Sequence, residues 1–373
     1  MPTNRLLLIK LSALGDVIQT LPTLEALREA FPTAEITWLV EEAAAPLLQY
    51  HPALDTLLIS RRQAWLRAAR TWRQWPVVCS EVRQLLMELR RRPFTAVVDL
   101  QGLGKSALWT WLARSPRKLG FAGTREYSYL ALNERLPPYD PDEHAVRRYL
   151  RLAQHLGATS PNLRFRVALP LGAGDQLQEI WQEAAGPVIV LHPGTRWPSK
   201  QWPTMSLARL ADALARDFQA RVVFTGSRGD KPLIAQCQAA MQTRALDLSG
   251  RTDLWDLTRL FFHVDAAVTT DTGPMHLAAA VGTPVVAVFG PTAPWRTGPC
   301  GRQHRVVYTG APCSPCRQRQ CPDPLCLSQL PMEAVLAAVR AVLQQDQPPR
   351  HRSCVRQVVR GQEVEVIQHV ADF

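Results

Sequence analysis

Lysine is scarce in this 373-residue chain, which has five lysines (Lys10, Lys105, Lys118, Lys200 and Lys231) among 43 basic residues, so arginine carries most of the net charge of +11. Arginine suits bidentate contacts to phosphates and carboxylates, which makes acidic ligands the natural partners. Long apolar runs are also missing: none approaches the roughly 20 residues of a membrane-spanning helix. The stretch from Leu6 to Leu11 is too short for a signal-peptide core, so the protein is expected in the cytoplasm. No G-x-G-x-x-G follows the first predicted strand, which argues against a dehydrogenase. Gly102, Gly104, Lys105 and Ser106 imitate a nucleotide-binding Walker loop but lack its spacing. No DNA- or RNA-binding motif is present, so no nucleic-acid partner is expected.

The hydrophobic share of 46% and charged share of 20% are those of a globular protein, and the length predicts two domains. Strand-like and helix-like runs alternate from residue 5 to 150 and again from 188 onward, which predicts two parallel sheets with helices on both faces. The fold class expected is α/β, with two Rossmann-like domains facing each other across a cleft, the GT-B arrangement. The expected boundaries are a first domain at 1–170, a Gly/Pro-rich linker at 171–187, a second domain at 188–345 and an unassigned tail at 346–373 that includes Pro348, Pro349 and Arg352. A single helix is expected over 17–31.

The most informative stretch runs from Thr269 to Thr292. A short apolar strand ends at Thr270, and Asp271, Thr272, Gly273 and Pro274 turn into a helix. Free N–H groups and the positive end of the helix dipole favour a diphosphate there, and Gly273 permits its close approach. His276 lies one turn further on, suited either to charge stabilisation or to packing. After the strand at 188–191, Gly194 and Thr195 offer donors, and Lys200 or Arg196 supplies a cation that could neutralise phosphate charge. Asp230 follows another strand, where a ribose contact and a simple turn role both fit. In the first half, Asp16 follows the turn after the first strand, which suits either a helix N-cap or a general base.

Two further clusters stand out. Arginines from Arg61 to Arg92 are interleaved with Trp65, Trp72 and Trp75, a pattern shared by solvated helix faces and by basic amphipathic helices at anionic membranes. Cys313, Cys316, Cys321 and Cys326 crowd one loop; their spacing matches neither zinc knuckles nor ferredoxin runs, so a structural zinc or iron–sulfur site and a set of reduced or disulfide-prone thiols both remain open.

Taken together, Ser12 to Ile18, Val98 to Gly102 with Lys105 and Ser106, the Gly194 to Trp202 loop and Asp271 to Leu277 make the chain resemble the bacterial lipopolysaccharide heptosyltransferases, glycosyltransferase family 9. Glu41 and Glu42, Arg61 and Arg62 ahead of Trp65, Arg125 and His144 to Arg148 are most similar to members that add the first heptose to Kdo2-lipid A. The resemblance implies a metal-independent, inverting transfer from ADP-heptose to a Kdo hydroxyl, with no cofactor required. It implies Asp16 as general base and Lys200 as a contact to donor phosphate. Gly194, Thr195, Asp230, Asp271, Thr272, Gly273 and His276 would bind the donor, and Arg61, Arg62, Arg125 and Arg148 would face the acidic acceptor. It also implies domain closure over the donor and work at the inner face of the cytoplasmic membrane. Heptosyltransferase II and other family 9 transferases are the near alternatives; a sugar-nucleotide epimerase or a non-catalytic sugar-nucleotide-binding protein are the distant ones.

Overall fold

A computed structural model describes residues 4–159, 162–182, 184–344 and 352–372. The chain divides into two compact units, Met1–Pro161 and Asn162–Phe373. In the first, strands β1 (Arg5–Ile9), β2 (Glu35–Glu41), β3 (Thr56–Ser60), β4 (Ala96–Asp99), β5 (Arg117–Phe121) and β6 (Glu134–Leu136) form a parallel sheet of order 3-2-1-4-5-6. β1 and β4 are nearly all apolar and buried, as central strands covered on both faces must be. Helices Arg62–Ala68, Trp75–Arg90 and Gly104–Leu112 cover one face, where Trp65, Leu85, Leu89 and Trp109 pack onto Leu7, Ile9, Leu39 and Val97.

After β7 (Leu163–Pro170), the second unit repeats this plan. Strands β8 (Val188–His192), β9 (Arg221–Phe224), β10 (Leu246–Asp247), β11 (Ala266–Thr270), β12 (Val285–Phe289) and β13 (Arg305–Tyr308) form a parallel sheet in which β10-β9-β8-β11-β12-β13 reproduces the first order. In each sheet the order reverses between two central neighbours, β1 and β4 in one and β8 and β11 in the other. Ligand-binding loops of parallel sheets gather at that reversal, at the carboxyl ends of the strands.

Four sequence expectations need correction. The helix expected over 17–31 is two helices, Leu14–Ile18 and Leu21–Ala30, because Pro22 has no N–H to donate and fits only the first turn of the second. β7, expected within the first domain, belongs to the second unit, where it pairs antiparallel with the final strand, Leu163 opposite Ala371 and Pro170 opposite Val364. The 171–187 segment also lies in that second unit and carries two short helical turns, Asp175–Leu177 and Glu179–Gln182. The expected tail holds a β-hairpin, β14 (Arg352–Val359) and β15 (Gln362–Ala371), turned by Arg360 and Gly361, both at positive φ. Asp346, Pro348 and Pro349 lie outside the described residues.

Two buried imidazoles tie the stability of the second unit to pH. His304 takes a hydrogen bond from the Val285 amide (3.1 Å) and contacts the Cys300 carbonyl (3.0 Å); burial, reinforced by His369, pushes its pKa down to about 3. Burial holds His192 at about 4, against an opposing pull from Asp230. Below pH about 6.5 the unfolded chain takes up protons at these positions that the folded chain refuses, so the contribution to stability is complete above that pH and is lost as pH falls toward the folded values. The melting temperature should therefore drop between pH 7.5 and pH 5, and His304→Gln should shrink that drop while lowering stability at pH 7.5. A melting temperature independent of pH over this range would contradict the assignment.

Candidate active site

In the first unit the loop after β1 carries Asp16. Its Oδ2 accepts the Ala13 amide (3.1 Å), placing it in the first helical turn rather than at the N-cap, and among the described residues its other carboxylate oxygen has no hydrogen-bond partner. The loop is held from β4. Asp99, buried at the end of that strand, accepts the amides of Gln101 (2.9 Å) and Gly102 (3.0 Å) and the Ser106 hydroxyl (3.0 Å). Burial raises the Asp99 pKa, opposed by those donors and by Lys10. The turn so formed points Gln101 Oε1 at the amides of Leu11 (3.1 Å) and Ser12 (3.0 Å).

Lys10 is only 2% exposed, and its Nζ donates to the Leu100 carbonyl (3.0 Å) and the Tyr149 hydroxyl (2.7 Å). Arg148 donates to the same hydroxyl (3.3 Å) and stacks on Tyr139, 4.4 Å from its centroid. Burial opposes the Arg148 charge, but Tyr149, Tyr139 and Asp16 outweigh it and raise the pKa. Arg148 and Asp16 are thus electrostatic neighbours. Glu41, at the end of β2, binds Arg62 (2.9 Å) and Lys105 (3.1 Å), and Lys105 also donates to Ser12. Arg61 bridges Glu42 (3.2 Å) and Glu81 (2.8 Å). The structure therefore links Arg62 and Arg148 to the Asp16 loop, whereas Arg125 is exposed and, among the described residues, no hydrogen bond ties it to that group. Its neighbour Glu126 accepts the Gly104 amide (2.8 Å).

In the second unit, loops after three adjacent strands converge. Lys200, on the loop after β8, donates to the Asp271 carboxylate (2.6 Å) and carbonyl (3.1 Å), and Thr292, on the loop after β12, donates to the same carboxylate oxygen (2.7 Å). Lys200 and Asp271 are largely buried, with side chains 14% and 8% exposed, and Lys200 also lies 4.5 Å from the centre of the Trp197 ring. Arg196 is exposed, so geometry separates the two cations that the sequence could not rank. Thr272 precedes helix Gly273–Ala280 without capping it, which leaves first-turn amides for an anion. His276 is buried in the same helix. Asp230 Oδ2 accepts the Ser227 amide and hydroxyl (both 2.7 Å), so this oxygen serves the turn; the carboxylate packs against Gly194, where an added Cβ would come within 2.6 Å of it. Thr195 Oγ1 is within 3.3 Å of both the Trp197 amide and carbonyl, inside its own loop.

The metal site considered for the four cysteines is not built. Among the described residues no group of three or more His, Cys, Asp or Glu side chains is arranged to hold a metal ion. Cys326 packs into the core, its thiol pushed up by burial and then by the three neighbouring cysteines, and Cys321 donates its S–H to the Asp323 carbonyl (3.2 Å). The loop instead buttresses the site. Ser314 donates to the Gly290 carbonyl, Arg317 N to the Pro291 carbonyl (2.8 Å), and the Gln318 carbonyl receives the Ser199 hydroxyl (2.6 Å). Sequence reasoning missed Lys10, Gln101, Tyr149 and Thr292; the signal was their place just after strand ends or, for Tyr149, next to the candidate Arg148.

The family model "Glycosyltransferase family 9 (heptosyltransferase)" matches residues 82–326. Among curated proteins the chain is 31% identical to lipopolysaccharide heptosyltransferase 1 of Pseudomonas aeruginosa, over 91% of this chain and 98% of that one. Among solved structures it superposes on the E. coli heptosyltransferase WaaC with ADP with a TM-score of 0.71 at 26% identity, covering 91% of this chain and 99% of that one. A family 9 glycosyltransferase from Veillonella parvula gives a TM-score of 0.76 at 23% identity, covering 92% and 98%.

Two substitutions probe the geometry. Gly194→Ala drives a methyl into the Asp230 carboxylate and should cost about 1–3 kcal/mol, read as a lower denaturation midpoint. Tyr149→Phe removes the hydroxyl shared by Lys10 and Arg148 and should destabilise by a similar about 1–3 kcal/mol while lowering turnover. Wild-type turnover in Tyr149→Phe would detach this network from the site.

Proposed function

The chain belongs to glycosyltransferase family 9, the heptosyltransferases, and from that premise we propose that it transfers L-glycero-D-manno-heptose from ADP-heptose to a Kdo residue of Kdo2-lipid A at the inner face of the cytoplasmic membrane. The observation that carries the reading is the Asp16 carboxylate. It is anchored through one oxygen, has the other unengaged, and stands beside Arg148. A base so placed can take the proton of an acceptor hydroxyl as that oxygen attacks the anomeric carbon from the face opposite ADP, inverting the configuration. Arg61, Arg62 and Arg148 suit the carboxylates and phosphates of such an acceptor. The likeness to heptosyltransferase 1 of P. aeruginosa supports the first-heptose step.

The second unit supplies the donor side. As the C–O bond to the diphosphate breaks, negative charge grows on the leaving oxygens. Lys200, oriented by Asp271, and the amides after Thr272 are fixed donors that stabilise it without reorganising. Asp271 acts here as a positioning residue: its carboxylate fixes the ammonium, and Thr292 fixes the carboxylate.

The test is mass spectrometry of Kdo2-lipid A after incubation with enzyme and ADP-heptose, with ADP release followed in parallel. One heptose should be added. Asp16→Ala should lower the rate on the order of a hundredfold or more with ADP affinity nearly intact, and Lys200→Ala should weaken both. An active Asp16→Ala enzyme removes Asp16 from the role of base. Transfer only to an already heptosylated core moves the assignment to a later step.

A further inference from the structure

Between Asp55 and Glu81 the chain holds no acidic residue, and none lies between Asp99 and Glu126. The first interval contains five arginines, which the fold treats differently. Arg61 and Arg62 are paired with Glu42, Glu81 and Glu41. Among the described residues Arg67, Arg70 and Arg73 pair with no carboxylate; Arg67 reaches only the Gln63 carbonyl (3.3 Å), and Arg73 lies over the Trp72 ring at 5.6 Å. Beside these unneutralised cations stand Leu66, Trp72, Trp75 and Val77, all exposed, Trp72 by 74%. The Trp75 indole N–H donates to the Ala69 carbonyl (2.9 Å), which holds this connection in shape with its rings outward.

The connection joins helices Arg62–Ala68 and Trp75–Arg90, and helix Gly104–Leu112 packs beside the latter in the same layer. That third helix, inside the second acid-free interval, exposes Leu108 and Trp111, the latter by 67%. The inner side of the layer is filled by Trp65, Leu85, Leu89 and Trp109, so the outward apolar side chains are surplus to the core. Among the described residues no helix is long and apolar enough to cross a membrane.

We propose that this segment, residues 66–77 flanked by Leu108 and Trp111, is a membrane-contact surface that seats the first unit on an anionic phospholipid bilayer. Tryptophan and short aliphatic side chains partition into the headgroup region while unpaired arginines meet lipid phosphates, which neither a solvated helix face nor a nucleic-acid groove requires. A second copy of the same cationic face would be repelled. The proposal deepens the function above by naming how the enzyme reaches a lipid-linked acceptor, and it rests on that reading only for its purpose.

The experiment is flotation of the full chain with phosphatidylcholine vesicles, with and without phosphatidylglycerol, at low and high salt, no acceptor being present. Binding is expected only with phosphatidylglycerol and should weaken with salt. Removing three cations by Arg67→Gln, Arg70→Gln and Arg73→Gln should lower affinity on the order of a hundredfold. Trp72→Ala should weaken binding even at low salt. Turnover of both variants on detergent-dispersed acceptor should match wild type, since none of these residues serves the site. Absence of vesicle binding, binding indifferent to these substitutions, or an oligonucleotide bound as tightly as the vesicles with Trp72 irrelevant to both would overturn the surface and leave the transferase reading untouched. Vesicle binding without sugar transfer would do the reverse.

Discussion

A buried carboxylate at the end of one central strand, fixing the loop that follows the neighbouring strand either directly or through a glutamine, is the interaction on which the site in each unit depends. In the first unit it is Asp99, at the end of β4, which shapes the turn that lets Gln101 hold the loop after β1. In the second it is Asp271, just past the end of β11, which grips Lys200 on the loop after β8. The two stand at equivalent places, where the order of each sheet reverses. Parallel strands leave unpaired backbone groups and diverging connections at that point, so loops there need side-chain anchors, and a carboxylate that accepts several donors tolerates the burial. Asp99 holds a scaffold, whereas Asp271 holds a cation.

The scarcity of lysine acquires a structural meaning in this light. Lys10 and Lys200 follow β1 and β8, the central strands of the two sheets, and Lys105 lies in the first turn of the helix after β4. A compact ammonium with rotatable donors can satisfy a carbonyl together with a phenol, as Lys10 does, or a carboxylate together with its own backbone carbonyl, as Lys200 does. The planar guanidinium is less easily fitted into such corners and is used instead where a ligand's carboxylates and phosphates would be met at a surface.

Arginines in turn divide by their partners. Arg61, Arg62 and Arg148 are held by Glu42, Glu41 and Tyr149, and so are oriented before any acidic ligand arrives. Arg67, Arg70 and Arg73, a few residues further along, pair with no carboxylate among the described residues. Pre-paired cations are suited to directed contacts, and unpaired ones to long-range attraction.

Periodic hydrophobicity and punctuation in the chain were enough to establish the two parallel sheets, the loops that carry Asp16, Lys200 and Asp271, and the presence of a helix after the Asp271 loop, because buried parallel strands and helix starts impose local rules on composition. What those rules do not cover was decided by tertiary structure. The hairpin Arg352–Val359 with Gln362–Ala371 turns at Arg360, a residue without the local preference for positive φ, and it is held by β7 nearly two hundred residues away in sequence. From the sequence the four cysteines fit both a metal site and a set of reduced or disulfide-prone thiols; in the fold Cys326 packs into the core and their loop supports Gly290 and Ser199. Lys200 and Arg196 are equivalent in sequence and distinct in space, because only one reaches the carboxylate of a strand 71 residues further along. Local order follows from neighbours in the chain, whereas the partners of a charge depend on which distant strands the sheet brings side by side.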